Sequence, residues 1–203
     1  MLPIVTAGAE RVPALAALLG RAFADDPMFL WPLGSERTAE KAELFFRMFD
    51  ERLAARGWLW EAGDAVGVAG WIPPGSDEEM MDIDRELRPA VIAGTEDGGA
   101  RYEAMWEWIA GHFPDEPFWY LDHLGVDAEH RGGGVGTALI RHGLAFADRD
   151  GVPAFLETAR PGNVAYYERR GFRLIDEGDA PGGGALIWFL RYDPPAPGSS
   201  PSA

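Results

Sequence analysis

The sequence predicts an α/β fold built on a mixed sheet, on two observations. Short strands come first, as an antiparallel pair, and strand–helix–strand patterning follows; a last pair of strands then closes the chain around a turn-rich loop. The whole reads as one domain over residues 1–193, because 203 residues with 47% hydrophobic and 25% charged side chains suffice for one ordinary core.

Leu2 to Thr6 reads as the first strand. Glu10 to Ala24 places Val12, Leu15, Leu18, Leu19, Ala22 and Phe23 at helical spacing, and Asp25-Asp26-Pro27 stops it, because a residue before proline avoids the helical region. Arg37 to Arg56 is a second amphipathic helix, with Leu44, Phe45, Met48, Phe49 and Leu53 on one side and Gly57 as its stop. Trp58–Glu61 and Ala65–Ile72 pair around Ala62-Gly63-Asp64. The acidic stretch Asp77 to Asp84 is expected to be a solvated loop, followed by a helix from Ala100 to His112. Phe118–Val126 is a strand, Val135–Asp148 a helix, Ala154–Thr158 a strand and Val164–Arg170 a short helix. Phe172–Glu177 and Ala185–Tyr192 form the closing hairpin. From Pro194 to Ala203 the chain is Pro, Ala, Gly and Ser, with too little apolar surface to fold, so a disordered tail is expected.

Chemistry concentrates where a strand runs into Arg131-Gly132-Gly133-Gly134-Val135-Gly136-Thr137 and then a helix. Glycines let backbone approach a ligand, and the electropositive helix N-terminus suits a phosphate or pyrophosphate. A nucleoside triphosphate loop would need Lys and then Ser or Thr after the last glycine; here Gly136 is followed by Thr137-Ala138. The dinucleotide fingerprint fits badly too, since Thr137 stands where its last small residue belongs.

Val126 followed by Arg131-x-x-Gly134-x-Gly136, and downstream Asn163-Val164-Ala165-Tyr166-Tyr167-Glu168-Arg169-Arg170-Gly171-Phe172, resemble the two signatures of the GNAT N-acetyltransferases, in the expected order. The resemblance is specific from Phe118 to Tyr192. Within the superfamily, Gly151–Thr158, Tyr167-Glu168-Arg169 and Ala22–Asp25 look like stretches of the puromycin N-acetyltransferase type.

The resemblance implies the GNAT fold, a mostly antiparallel sheet of six to seven strands flanked by helices and splayed at the cofactor-binding strands. It implies acetyl-CoA as co-substrate. Leu124, Gly125 and Val126 would offer backbone groups to the pantetheine, and Arg131, Gly132, Gly133, Gly134, Val135, Gly136 and Thr137 would wrap the pyrophosphate. Asn163 would touch the cofactor near its pantetheine. Tyr167 matches the family's general acid, and Glu157 matches a glutamate suited to act as base; Asp122, His123 and water remain alternatives. Packing roles compete for each: Tyr167 as a core aromatic, Glu157 as a strand-end ion pair.

No cysteine is present, which removes an acyl-cysteine route, so direct transfer in a ternary complex is expected. A formal charge of −15 speaks against nucleic acid and suits either solubility or attraction of a cationic amine. Phe23, Asp26, Phe29, Trp31, Trp71, Trp106, Trp108 and Phe118 are candidates for an acceptor wall. The histidines lack ligand-like spacing, so no metal is expected. Met1-Leu2-Pro3-Ile4 lacks a signal-peptide pattern, so a cytoplasmic protein without membrane attachment is expected. The acceptor expected is a small-molecule amine; a protein amino group and a non-catalytic acetyl-CoA-binding module are the alternatives. A homodimer is left open.

Overall fold

Strand β1 (Ile4–Thr6) leads into helices α1 (Val12–Ala22), α2 (Pro27–Leu33) and α3 (Thr38–Arg56), then strands β2 (Leu59–Ala62) and β3 (Gly67–Ile72). Helices α4 (Asp77–Ala93) and α5 (Ala100–Ala110) precede β4 (Trp119–Val126), α6 (Val135–Asp150), β5 (Ala154–Thr158), α7 (Pro161–Glu168), β6 (Arg173–Asp179) and β7 (Leu186–Tyr192). This computed structural model describes residues 2–34 and 36–195, so the tail expected at 194–203 lies outside them save for its first two residues.

Among the described residues, seven strands form one sheet in the order β1-β2-β3-β4-β5-β7-β6. Every neighbouring pair is antiparallel except β4 and β5. Those two pair only at Trp119 with Ala154 and Tyr120 with Phe155, then part. The mixed sheet is the one the sequence pattern predicts, and its mostly antiparallel pairing with a splay at the middle is what the resemblance implies.

Alternation along the strands gives the sheet two apolar faces. Leu59, Val68, Ile72, Phe155 and Phe189 pack with α1, α3, α4 and α5. Ala69, Trp71, Leu121, Leu156 and Leu190 pack with α6 and α7. Trp71 is fully buried and lies so close to α6 that a Cβ on Gly143 would stand 1.9 Å from its indole.

Two segments differ from expectation. Asp25-Asp26-Pro27 ends α1, but Asp26 also starts α2: its Oδ1 accepts from the Met28 amide at 3.0 Å, with Pro27 in the first turn, which is a helix-start pattern. The stretch from Asp77 to Asp84 is not a loop but the first half of α4. Three carboxylates in its first turn complement the helix dipole, and Ile83, Leu87 and Val91 are buried at helical spacing.

Candidate active site

Where β4 and β5 part, a cavity of about 510 Å³ opens. Leu121 to Val126 line one side, and Glu157 and Thr158 at the end of β5 line the other. From Leu121 onward the β5-facing edge of β4 has no strand partner, so its backbone polar groups are free to bind something else. The end of α1, together with α2 and α3, forms the outer wall through Phe23, Phe29, Phe45 and Phe46.

At one end the cavity meets the glycine run. Gly132 (φ 80°) and Gly134 (φ 85°) take a left-handed backbone that L side chains rarely adopt, and a Cβ on either would meet nothing within 4 Å. The turn is thus shaped by glycine while open space lies above it. Gly134 caps α6, and the first amide used inside the helix is that of Ala138, to the Gly134 carbonyl at 3.0 Å. The amides of Val135, Gly136 and Thr137 therefore start the helix without intrahelical carbonyls.

Arg131 is exposed at the lip, its Nε 3.4 Å from the Val126 carbonyl. Arg170 joins it: its Nε and Nη2 donate to Thr137 Oγ1 at 3.1 and 2.5 Å, and its guanidinium lies 3.4 Å from the centre of the Tyr166 ring. Gly133 alone of the run does not line the cavity.

Two of the glycines expected to serve a ligand also answer to packing. A Cβ on Gly125 would stand 2.7 and 2.8 Å from Leu19 and Leu18 of α1, and one on Gly136 would stand 2.4 Å from the Tyr166 hydroxyl. Asn163 lines the cavity, with its Nδ2 donating to Thr158 Oγ1 at 3.0 Å.

Glu157 and Tyr167 face the same cavity. Burial, opposed by a hydrogen bond from Tyr120 and reinforced by the charge of Asp122, pushes the Glu157 carboxyl up to about 8. The Tyr120 hydroxyl donates to Glu157 Oε1 at 2.6 Å, while Oε2 is buried without a partner among the described residues. Tyr167 is buried, and burial first, then the neighbouring Tyr166 and Glu157, raise its phenol well above the ordinary value.

His123 sits between two carboxylates, its Nδ1 2.8 Å from Asp122 Oδ2 and its Nε2 3.4 Å from Asp50 Oδ1. Burial works against its charge, but Asp50 and then Asp122 outweigh that and raise its pKa. Asp50 is wholly buried; burial pushes it up to about 7 against the pull of His123.

Of the predicted acceptor wall, Phe23, Asp26, Phe29 and Trp106 line this cavity. Trp71 does not: it points to the opposite face of the sheet, where its Nε1 donates to the Leu139 carbonyl at 3.3 Å. Trp31 packs on Gly182 and Gly184, and Trp108 on Gly178 and Phe189. Arg160 is a site residue that sequence reasoning missed: it lines the cavity and pairs with Asp25 at 2.6 Å and Asp26 at 2.9 Å, more than 130 residues away. Tyr120, Asp50 and Arg170 were missed as well.

A model of the acetyltransferase (GNAT) family matches residues 21–172. An uncharacterised N-acetyltransferase of Schizosaccharomyces pombe is 29% identical over 171 residues, covering 77% of this chain and 68% of that protein. A crystal structure from Corynebacterium glutamicum, described as a histone acetyltransferase and related acetyltransferase, superposes with a TM-score of 0.73 at 25% identity over 98% of this chain and 100% of its own. Arylalkylamine N-acetyltransferase 2 of Aedes aegypti shares the fold, with a TM-score of 0.64 at 16% identity over 95% of this chain and 98% of its own.

Proposed function

The chain belongs to the GNAT family of acetyltransferases, and we propose that it moves an acetyl group from acetyl-CoA to the amine of a small molecule while both are bound. The observation that carries this reading is one cavity joining the parted strands, the open glycine turn at the head of α6, and the Glu157–Tyr167 pair.

The residues present suit acetyl-CoA. Leu124 and Val126 turn their backbone groups to the edge that β5 leaves free, where they suit the amides of a pantetheine arm, while Gly125 between them turns its own toward β3. The amides of Gly132, Gly134, Val135, Gly136 and Thr137, with Arg131 at the lip, form an anion-binding turn for the pyrophosphate, while that of Gly133 is spent on the His130 carbonyl; Arg170 steadies Thr137 beside it. Asn163 lines the same cavity. When bound, acetyl-CoA supplies a thioester whose carbonyl carbon an amine can attack.

The chain's own residues then have two tasks. An ammonium cannot attack, so Glu157, the residue on which the likeness to the puromycin-acetylating type bears, takes a proton from the acceptor directly or through water. Its pKa near 8 lies close to the working pH of a general base. Tyr167 stays protonated at neutral pH and donates to the sulfur as negative charge gathers there.

With no cysteine in the chain, every thiol that appears in an assay comes from CoA. Thiol release over a panel of amines should give intersecting double-reciprocal plots. Parallel lines together with an isolable acetylated protein would overturn direct transfer, and absence of acetyl-CoA binding by calorimetry would overturn the cofactor assignment.

A further inference from the structure

A second cavity, of about 400 Å³, lies against the first and shares Phe45, Trp106 and Asp122 with it. It is enclosed by α4, α5, the 113–118 segment and the end of β3. The partition between the two is thin: Tyr120 lines the second cavity, Glu157 lines the first, and they are joined by the 2.6 Å hydrogen bond. A molecule in the second cavity thus has its inner end at Asp122 and Tyr120, next to the carboxyl proposed as base.

The lining has two components. Phe45, Phe49, Trp106, Phe113, Phe118 and Tyr120 make an aromatic sleeve, which favours a flat apolar body and attracts cations to its ring faces. Asp77, Asp84, Asp115, Glu116 and Asp122 contribute carboxylates, and among the described residues no Lys, Arg or His lines the cavity.

These carboxylates are not equivalent. Glu116 is taken up by Arg191 at 2.5 Å, and Asp77 lies in the first turn of α4, where it answers the helix dipole. Asp122 is largely buried at the inner end, held by His123. Asp84 has no ion-pair partner among the described residues; it lies one turn beyond Met80 and about one turn before Leu87, on the α4 face that lines the cavity. Tyr102, also in the lining, feels both ends: after burial, the charges of Asp84 and Asp122 are what raise its phenol. One carboxylate therefore stands at the reacting end and another at the outer end of an aromatic sleeve.

We propose that the second cavity is the acceptor chamber and that it selects an arylalkylamine bearing a second cationic nitrogen, with the reacting amine at Asp122 and the far cation at Asp84. The proposal rests on the reading that the first cavity takes acetyl-CoA. A carboxylate on the far end of the acceptor meets Asp84 and is disfavoured, because the one cation that Asp84 feels, Arg88 four residues on, is paired with Glu103 at 2.6 Å; an uncharged far end forgoes one ion pair and is used less well.

Three probes test it: phenethylamine, its para-aminomethyl derivative and its para-carboxy derivative. The expected order of kcat/KM is aminomethyl, then unsubstituted, then carboxy, in steps of about tenfold. In Asp84→Asn the advantage of the aminomethyl compound over phenethylamine should shrink about tenfold, through KM and not kcat. Calorimetry of acetyl-CoA on both proteins separates a loss in the chamber from a general loss, since Asp84 does not line the first cavity. Failure of acetyl-CoA to bind the wild-type protein overturns the underlying reading and the proposal with it. Acetyl-CoA binding with equal kcat/KM for the three amines, with turnover of none, or with an unchanged preference in Asp84→Asn overturns the acceptor proposal alone.

Discussion

Glu157 is a carboxyl group that the fold holds largely protonated at neutral pH. Its folded pKa of about 8 lies above the ordinary 4.5 because of burial, with Asp122 adding to the shift. The sign follows from proton counting: between those two values the folded state binds more protons than the unfolded, so this group's contribution is full below pH 4.5 and is lost as pH rises toward 8. Two outcomes are expected of Glu157→Gln. The rise of kcat/KM with pH toward 8 disappears, with turnover down by about two orders of magnitude. The decline of stability over the same window, read from urea unfolding at several pH values, flattens. An unchanged pH limb would hand the base role to Asp122, His123 or solvent. Tyr167→Phe keeps the ring against Phe172 and should lower turnover roughly a hundredfold with acetyl-CoA affinity intact; wild-type turnover with chemistry rate-limiting would leave Tyr167 as a packing residue. Both residues stand in recognisable stretches of sequence. Their partners do not: Tyr120 reaches Glu157 across parallel strands 37 residues apart, and no spacing rule encodes such a contact. Asp50 hid for a similar reason, since helical periodicity marks the apolar side of α3 without saying which polar residue the sheet will bury.

At the scale of elements, the opening of α6 is set by its fit to α7. Gly136 does not have a positive φ; it is required because the Tyr166 hydroxyl would stand 2.4 Å from any Cβ there. Gly136→Ala should push Tyr166 aside, and with it the Arg170 that rests on the ring and bonds Thr137. Acetyl-CoA affinity should then fall about tenfold or more, the scale of an overpacked contact. Adding Tyr166→Phe removes the offending oxygen while the ring carbon that bore it is 3.6 Å away, so the double variant should recover most of the loss. A single variant that binds like wild type, or a double one that recovers nothing, sinks this account. The strands and the long helices were legible because their apolar periods are sustained. Helix α2 was not, because Asp26-Pro27 signals both a stop and a start and only the stop was read. The acidic head of α4 was not legible because its first turn carries only charge, and the buried positions Ile83, Leu87 and Val91 begin beyond it.

For the whole molecule, the succession of strands and helices along the chain was legible, but their order in the sheet and the depth of the parting were not, since hydrogen bonds absent between β4 and β5 leave no mark on either strand's pattern. The sheet consists of β1–β4 and β5–β7, joined directly by two residue pairs. A ligand lying in the gap contacts both halves. Acetyl-CoA at a hundred times its Kd should therefore add about 2.7 kcal/mol to stability by mass action, with slowed amide exchange at residues 121–126 and 135–137. Unchanged exchange there would place the ligand elsewhere. With acetyl-CoA as its occupant, such a seam would tie the protein's lifetime to its metabolic supply. If degradation samples the opened sheet, its rate follows the population of that state, and that population falls as the thioester becomes abundant. A cell depleted of acetyl donor would then clear this enzyme faster than one that is well fed, without any dedicated regulator.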